Sequence, residues 1–412
     1  MMATLDKASL WRNPDFVKLW SAHTISAIGS KVSFLALPLT AALVLQATPV
    51  EMGYLSVAGS LPGLLLGLPV GVWVDRRKRR SLLVLADVGR GVLLLLIPLA
   101  AWLGLLQMPL LYVIIFLTGA LSLLFGAADH AYLPALVRRE ALVEANSKLA
   151  ISRSAAEIAG PTLAGWLIQV VTAPIAILVD GLSFLLSGLL LGAIRQTETA
   201  PVRHAEDGHF FQEISAGLRL LYKDRTLWTI TIATAIVSFF NAALEAIYLL
   251  YMTRNLTLSS GWIGIIFGAG SVGFLVGALL PGYFVRHFGL GSTIIAGLLL
   301  LTLSDFVLPL ADGPQPLVIM LLIGAQICFG FGLTLYNVSQ NSLRQAITPD
   351  HLLGRMSATL DFTVAALIPL GALVGGLLGE WIDLRTTLLL AAGGELMAVV
   401  WLLLSPVRRL RS

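Results

Sequence analysis

The sequence predicts an all-α integral membrane protein, with twelve transmembrane helices arranged as two pseudo-symmetric six-helix bundles. Three observations carry that expectation. The first is charge density. Of the 412 residues, 57% are hydrophobic and only 12% are charged, whereas a soluble globular domain carries about 25% charged residues. Half that density cannot coat a surface against water, and a mean hydropathy of +0.87 makes the bilayer the solvent of the fold. The second is the spacing of apolar runs. They fall at 16–45, 51–74, 81–104, 109–130, 148–171, 174–194, 226–252, 260–285, 291–311, 316–338, 355–379 and 385–405, each near or above the roughly 20 residues that cross a hydrocarbon core. The third is the distribution of basic residues. With the N-terminus inside, 22 of the 27 Lys and Arg fall in inner segments, Arg254 and Arg385 fall outside, and Lys31, Arg90 and Arg153 lie within spans. That asymmetry puts both termini in the cytoplasm and requires an even number of spans.

Along the chain, the first apolar run begins after Trp11-Arg12-Asn13-Pro14-Asp15. It is too long for the core of a signal peptide, so it is expected to remain as a span. The longest polar stretch lies between spans six and seven. Its first part, Gln196 to Gly208, reads as a linker. Its second part sets Phe211, Ile214, Leu218 and Leu221 at helical spacing, which predicts an amphipathic helix over 210–222 on the inner membrane surface. The expected organisation is a six-helix bundle over 1–195, a cytoplasmic linker over 196–225 and a second bundle over 226–412. An internal repeat supports it: Gly71-Val-Trp-Val-Asp-Arg76 resembles Gly282-Tyr-Phe-Val-Arg-His287 at an offset of 211 residues, each at an inner turn after an even-numbered span.

Several function classes are excluded on the same sequence. There is no phosphate-cradling Gly-x-x-x-x-Gly-Lys-Ser/Thr run, so the chain is not expected to hydrolyse nucleotide. No Cys/His cluster has metal-ligand spacing, no nucleophile triad is present, and a single cysteine, Cys328, excludes an intramolecular disulfide. Neither an enzyme nor a cofactor is expected. A pI near 9.3 reflects inner-loop anchoring rather than nucleic-acid binding, and a monomer in the bilayer is expected.

The run Gly71-Val72-Trp73-Val74-Asp75-Arg76-Arg77-Lys78-Arg79-Arg80 resembles the signature loop of the major facilitator superfamily, with Lys78 where the family usually has a second Gly. Gly160-Pro161-Thr-Leu-Ala-Gly165 in span five is similar to the Gly-Pro motif of its antiporter branches. Asn13-Pro-Asp-Phe16, Val179-Asp-Gly-Leu-Ser-Phe184 and Pro349-Asp-His-Leu-Leu-Gly-Arg355 look like the branch that holds macrolide-efflux proteins and the enterobactin exporter. The resemblance covers nearly the whole chain. It implies a secondary active transporter of the bacterial inner membrane that exports small amphipathic molecules, drug or siderophore-like, by proton antiport with alternating access. The alternative is a lipid-handling translocase or uncoupled facilitator of the same fold. For the loop itself, Gly71, Asp75, Arg76, Arg79 and Arg80 are candidates for a charge lock on the cytoplasmic side, with Arg90 as a further partner.

The resemblance also implies that spans one, four, seven and ten surround the cavity, so polar residues on their faces become candidates for the substrate path. These are His23 in span one, Ser122 in span four, Thr234, Ser238 and Asn241 in span seven, and Gln326, Thr334 and Asn337 in span ten. The competing reading of the hydroxyls is that they bond their own backbone. Intramembrane charges weigh more, because each costs at least about 2.5 kcal/mol to insert. A proton-coupled exporter needs a carboxyl that loads and releases protons. Glu245, which continues the span-seven stripe, is the first candidate, followed by Glu157 and Asp129, with Lys31 as a switching partner.

Overall fold

The computed structural model describes residues 10–196 and 224–410; the amphipathic helix expected over 210–222 lies outside them. Side-chain caps open some of the helices. Asn13 accepts from the Asp15 and Phe16 amides at 3.0 and 3.3 Å, which opens α1, Pro14–Leu39, continued by a π-helical turn, Thr40–Val44. Thr48 and Glu51 form a reciprocal capping box, at 2.8 and 3.3 Å, before α2, Pro49–Asp75. There follow α3, Arg79–Trp102, α4, Met108–Leu136, α5, Leu142–Val171, and α6, Ala173–Gly192. Asp224 accepts from Thr226 and Leu227 at 2.8 and 3.0 Å and opens α7, Arg225–Arg254. Next come α8, Ser260–Leu279, α9, Pro281–Phe288, α10, Leu290–Leu310, α11, Gln315–Ile347, α12, Leu353–Trp381, and α13, Leu384–Leu403. Pro281 has no N–H to donate and divides the eighth span into α8 and α9.

Ten of the described helices are long and apolar enough to cross a bilayer on those grounds alone. The other two long helices complete the twelve. The only charges in α2 are Glu51 and Asp75, near its two ends. The charges of α5, Glu144, Lys148, Arg153 and Glu157, all lie in its first 16 residues. Side chains such as Leu279 and Met320, 75% and 70% exposed, mark surface that only lipid can cover.

The repeat read from one loop extends to the helices. Helices α7, α8, α10, α12 and α13 begin 211 residues after α1, α2, α3, α5 and α6, and α11 begins 207 after α4. It extends to the turns as well. The Leu45 amide donates to Thr40 and that of Ala47 to Ala41; the Leu256 amide donates to Tyr251 and that of Leu258 to Met252, each pair 211 residues on. Gln46 and Thr257, again 211 apart, both take a positive φ, of 54° and 49°.

Contacts divide the chain into two compact units, Met1–Leu37 with Leu65–His204, and Pro38–Leu64 with Ala205–Ser412. In the first unit α3 packs on α4 and α6, over a core that includes Phe16, Leu83, Tyr132 and Leu191. In the second, α11 packs on α8 and α10, and α7 on α12 and α13, over Ile230, Leu298, Tyr336 and Leu402. Close approach in the second unit depends on glycine: a Cβ on Gly330 would strike the Gly270 carbonyl. The N-terminal half of α2 belongs to this second unit, where a Cβ on Gly376 of α12 would meet the Pro49 carbonyl at 2.7 Å.

Candidate functional site

The first unit encloses a cavity of about 270 Å³ between α1, α3, α4, α5 and α6. Helix α1 presents His23, Ser26 and Ser30 to it at the three- and four-residue spacing of one helical face. From α4 come Phe125, Asp129 and His130, and from α5 come Ser152 and Arg153. His23 Nε2 lies 3.0 Å from an Asp129 carboxylate oxygen, a charge contact outside hydrogen-bond angles. Two of the hydroxyls are spent locally, Ser26 on the His23 carbonyl and Ser30 on that of Ser26.

The cavity wall is built on Arg90. Its guanidinium is ion-paired with Asp87 one turn back and lies 4.5 and 4.1 Å from the ring centroids of Phe125 and Phe184. Asp87, fully buried, also accepts from Ser187 of α6 at 2.5 Å, and Ser122 lies 3.4 Å from Arg90. Sequence reasoning offered Arg90, within the third span, as a partner for the Asp75 lock; here the ion-pair partner it shows is Asp87, in the core. The i, i+3 spacing of Asp87 and Arg90 was the available signal for this pair, and it was not used.

Lys31 of α1 reaches Glu157 of α5 at 2.6 Å. The Gly-Pro pair makes room for it. A Cβ on Gly160 would collide with the Lys31 stem, and Pro161 leaves the Glu157 carbonyl without its helical donor. Gly160, Pro161 and Gly165 are all buried along α5.

The loop between α2 and α3 ties helices together through carbonyls. Arg79 donates to Ala131 of α4 at 3.0 Å. Arg80 donates to Leu191 at 3.1 Å and to Gly192, and Lys18 donates to Ala193 at 2.8 Å. Two cations therefore cap the C-terminus of α6, where the helix dipole favours positive charge. Gly71 lies in α2 and Arg76 in the exposed turn after it; the side chain of Asp75 lies outside the described residues.

In the second unit the expected polar stripes are largely engaged. Thr234 contacts Tyr336 at 3.2 Å and Gln340 at 3.0 Å, and Gln340 donates to Asn337 at 3.0 Å. Gln326 donates to the Tyr248 hydroxyl at 2.8 Å, and Thr334 bonds its own Gly330 carbonyl. Ser238 is half-buried, and Glu245 is exposed with no partner among the described residues. Behind this stripe Asp305 of α10 and Glu395 of α13, 5% and 0% exposed, are neighbours with Asn241 of α7 nearby, and neither Glu395 oxygen has a hydrogen-bond partner among the described residues. Asp305 and Glu395 lie on different helices, so their burial as neighbours needed the helix packing. Among the described residues no group of three or more His, Cys, Asp or Glu is placed to hold a metal ion.

The profile of the transmembrane secretion effector family, one of the major facilitator families, matches residues 7–412. The chain is 26% identical to the multidrug efflux pump Tap of Mycolicibacterium fortuitum, over 97% of each chain. It is 21% identical to macrolide efflux protein A of Streptococcus pyogenes, over 98% of this chain and 99% of that one. In fold it is similar to a bacterial homologue of the iron transporter ferroportin in its inward-facing state, with a TM-score of 0.74 at 18% identity, covering 96% of this chain and 98% of that one.

Proposed function

Because the chain belongs to the transmembrane secretion effector family of the major facilitator superfamily, and so is a multi-pass membrane transporter of small molecules rather than an enzyme, we propose that it exports amphipathic molecules in exchange for protons, by alternating access. The observation that carries export of a small molecule is the cavity in the first unit: about 270 Å³, aromatic on one wall and polar on the other. The efflux activities named for Tap and for macrolide efflux protein A favour the outward direction. Residence in a bacterial inner membrane with both termini inside is supported by the basic-residue asymmetry.

Proton exchange is favoured by the ionisable groups held at membrane depth. Lys31 and Glu157 face each other across α1 and α5, His23 and Asp129 face each other at the cavity, and Asp305 and Glu395 meet with no cation beside them among the described residues. Two carboxyl groups buried side by side repel each other unless one carries a proton, which makes the last pair a candidate proton carrier. The Arg79 and Arg80 contacts support a hold on the inner ends of α3, α4 and α6 that transport must loosen.

The test is efflux from an efflux-deficient host with and without the gene, followed by inverted membrane vesicles loaded with the substrate so found. Collapse of the pH gradient is expected to stop accumulation. Accumulation that survives collapse overturns proton exchange and leaves the uncoupled facilitator or lipid translocase.

A further inference from the structure

A charge census of the cavity assigns it a substrate class. Its lining holds one carboxylate, Asp129, against two arginines and two histidines. Three of these have a close neighbour of their own. Arg90 is paired with Asp87 and pressed between two rings, and Asp129 stands 3.0 Å from His23 without a hydrogen bond. The donors that remain are adjacent in space. Arg153 and His130 are exposed to the cavity, and neither they nor Ser152 has a hydrogen-bond or ion-pair partner among the described residues. Glu157, one turn beyond Arg153, is held by Lys31 at 2.6 Å. Both Ser26 and Ser30 have spent their protons on backbone carbonyls.

A buried or half-enclosed guanidinium without a carboxylate is costly, and its fork matches a carboxylate, sulfonate or phosphate. The volume lies just under the roughly 300–1,000 Å³ of whole small-molecule sites, which suits one end of an amphipathic molecule. Resting on the export reading above, we infer that this cavity is an anion subsite: Arg153, with Ser152 and His130, receives the acidic end of the substrate, and its apolar body lies along Phe125 and Phe184. The Phe walls do not discriminate charge; the free donors do.

The experiment uses the purified full chain with two xanthene dyes of like skeleton and opposite charge, carboxyfluorescein and tetramethylrhodamine methyl ester. Binding is read by fluorescence polarisation in nanodiscs of phosphatidylcholine, and transport is read in proteoliposomes. The anionic dye is expected to bind at least about tenfold more tightly. Arg153→Gln is expected to remove about tenfold of that affinity, and Arg153→Lys to restore part of it, because charge returns without the fork. The cationic dye is expected to be indifferent to both variants. Equal binding of the two dyes, or an unchanged affinity in Arg153→Gln, overturns the inference. Should Arg153→Gln fail to fold, Ser152→Ala and Arg153→Lys carry the same comparison. Adding phosphatidylglycerol separates the two sources of an acidic group: competition with the dye assigns the subsite to a lipid headgroup, and no competition assigns it to a soluble anion. Binding of the anionic dye without transport overturns the export reading and leaves the subsite; transport with equal binding of both dyes does the reverse.

Discussion

Asp383 shows how one side chain sets a helix start, and it does so outside the membrane-spanning segments. Its carboxylate accepts the Thr386 amide at 2.8 Å, and its hydrogen bonds to Thr386 hold its pKa below the ordinary aspartate value. A depressed carboxyl contributes stability above the unfolded-state pKa, near 3.9, and loses it as pH falls through the lower folded value. Protection of the amides in the first turn of α13, taken against the intrinsic exchange rate at each pH, is therefore expected to hold at neutral pH and to fall only on acidification below about pH 4. Asp383→Ala should lose about 1 kcal/mol of capping, roughly a fivefold faster exchange at neutral pH. Gly160 makes the complementary case for packing. Gly160→Ala puts a Cβ into the Lys31 stem, so a loss of about 1–3 kcal/mol is expected, read as a lower melting temperature of the purified protein and weaker substrate flux. Lys31, Glu157 and Asp129 were legible in the sequence because charges at membrane depth are few and expensive. Lys31 was expected to serve Glu245, Glu157 or Asp129, but which of them it meets was not legible, because Lys31 and Glu157 lie on different helices and no local spacing joins them.

At the scale of elements, all twelve spans and the 211-residue repeat were readable, since apolar length and basic flanks are local properties. The extension of α4, α5 and α11 past the apolar runs was not, because a helix continues into water without a change of hydropathy to mark it. Nor was the doubled turn. Thr257 at φ 49° is a β-branched residue where such a φ is rarely tolerated, and a strained residue of this kind costs about 1–3 kcal/mol. Thr257→Gly is expected to raise the melting temperature, and Thr257→Val to lower it. The packing of α2 on α12 gives a second expectation. Gly376→Val places its side chain against the Pro49 carbonyl and forces α2 away from α12. Cysteine introduced at Val50, labelled with a membrane-impermeant maleimide, is expected to react faster in that variant; an unchanged rate means the contact is not closed in the membrane.

For the whole molecule, the proposed exchange of protons turns on α7, α10 and α13, which bring their acidic and amide groups close together. Glu245 was the sequence's first choice because it continues the Thr234, Ser238 and Asn241 stripe of α7. Asn241 of that stripe lies near the Asp305–Glu395 pair, so α7 runs beside both an exposed carboxylate and a buried carboxyl pair. The charged groups of the packed helices leave the pair uncompensated: Arg385 donates to the Pro309 carbonyl at 2.7 Å and Arg344 to Asn341, while Tyr248 on α7, hydrogen-bonded by Gln326 at 2.8 Å, is a neutral neighbour. Glu395→Gln keeps an amide that can hydrogen-bond Asp305 but removes an acid. If the pair carries the coupling proton, this variant folds, exchanges substrate across vesicles at equal pH at near the wild-type rate, and loses at least about tenfold of its pH-driven accumulation, the equivalent of 1.4 kcal/mol of coupling. A structural staple would instead leave Glu395→Gln fully coupled. Glu245→Gln sorts the remaining case. Coupling lost there and kept in Glu395→Gln assigns the proton to the exposed carboxylate of the stripe, and coupling lost in both makes α7, through Asn241, the helix that carries the proton between them.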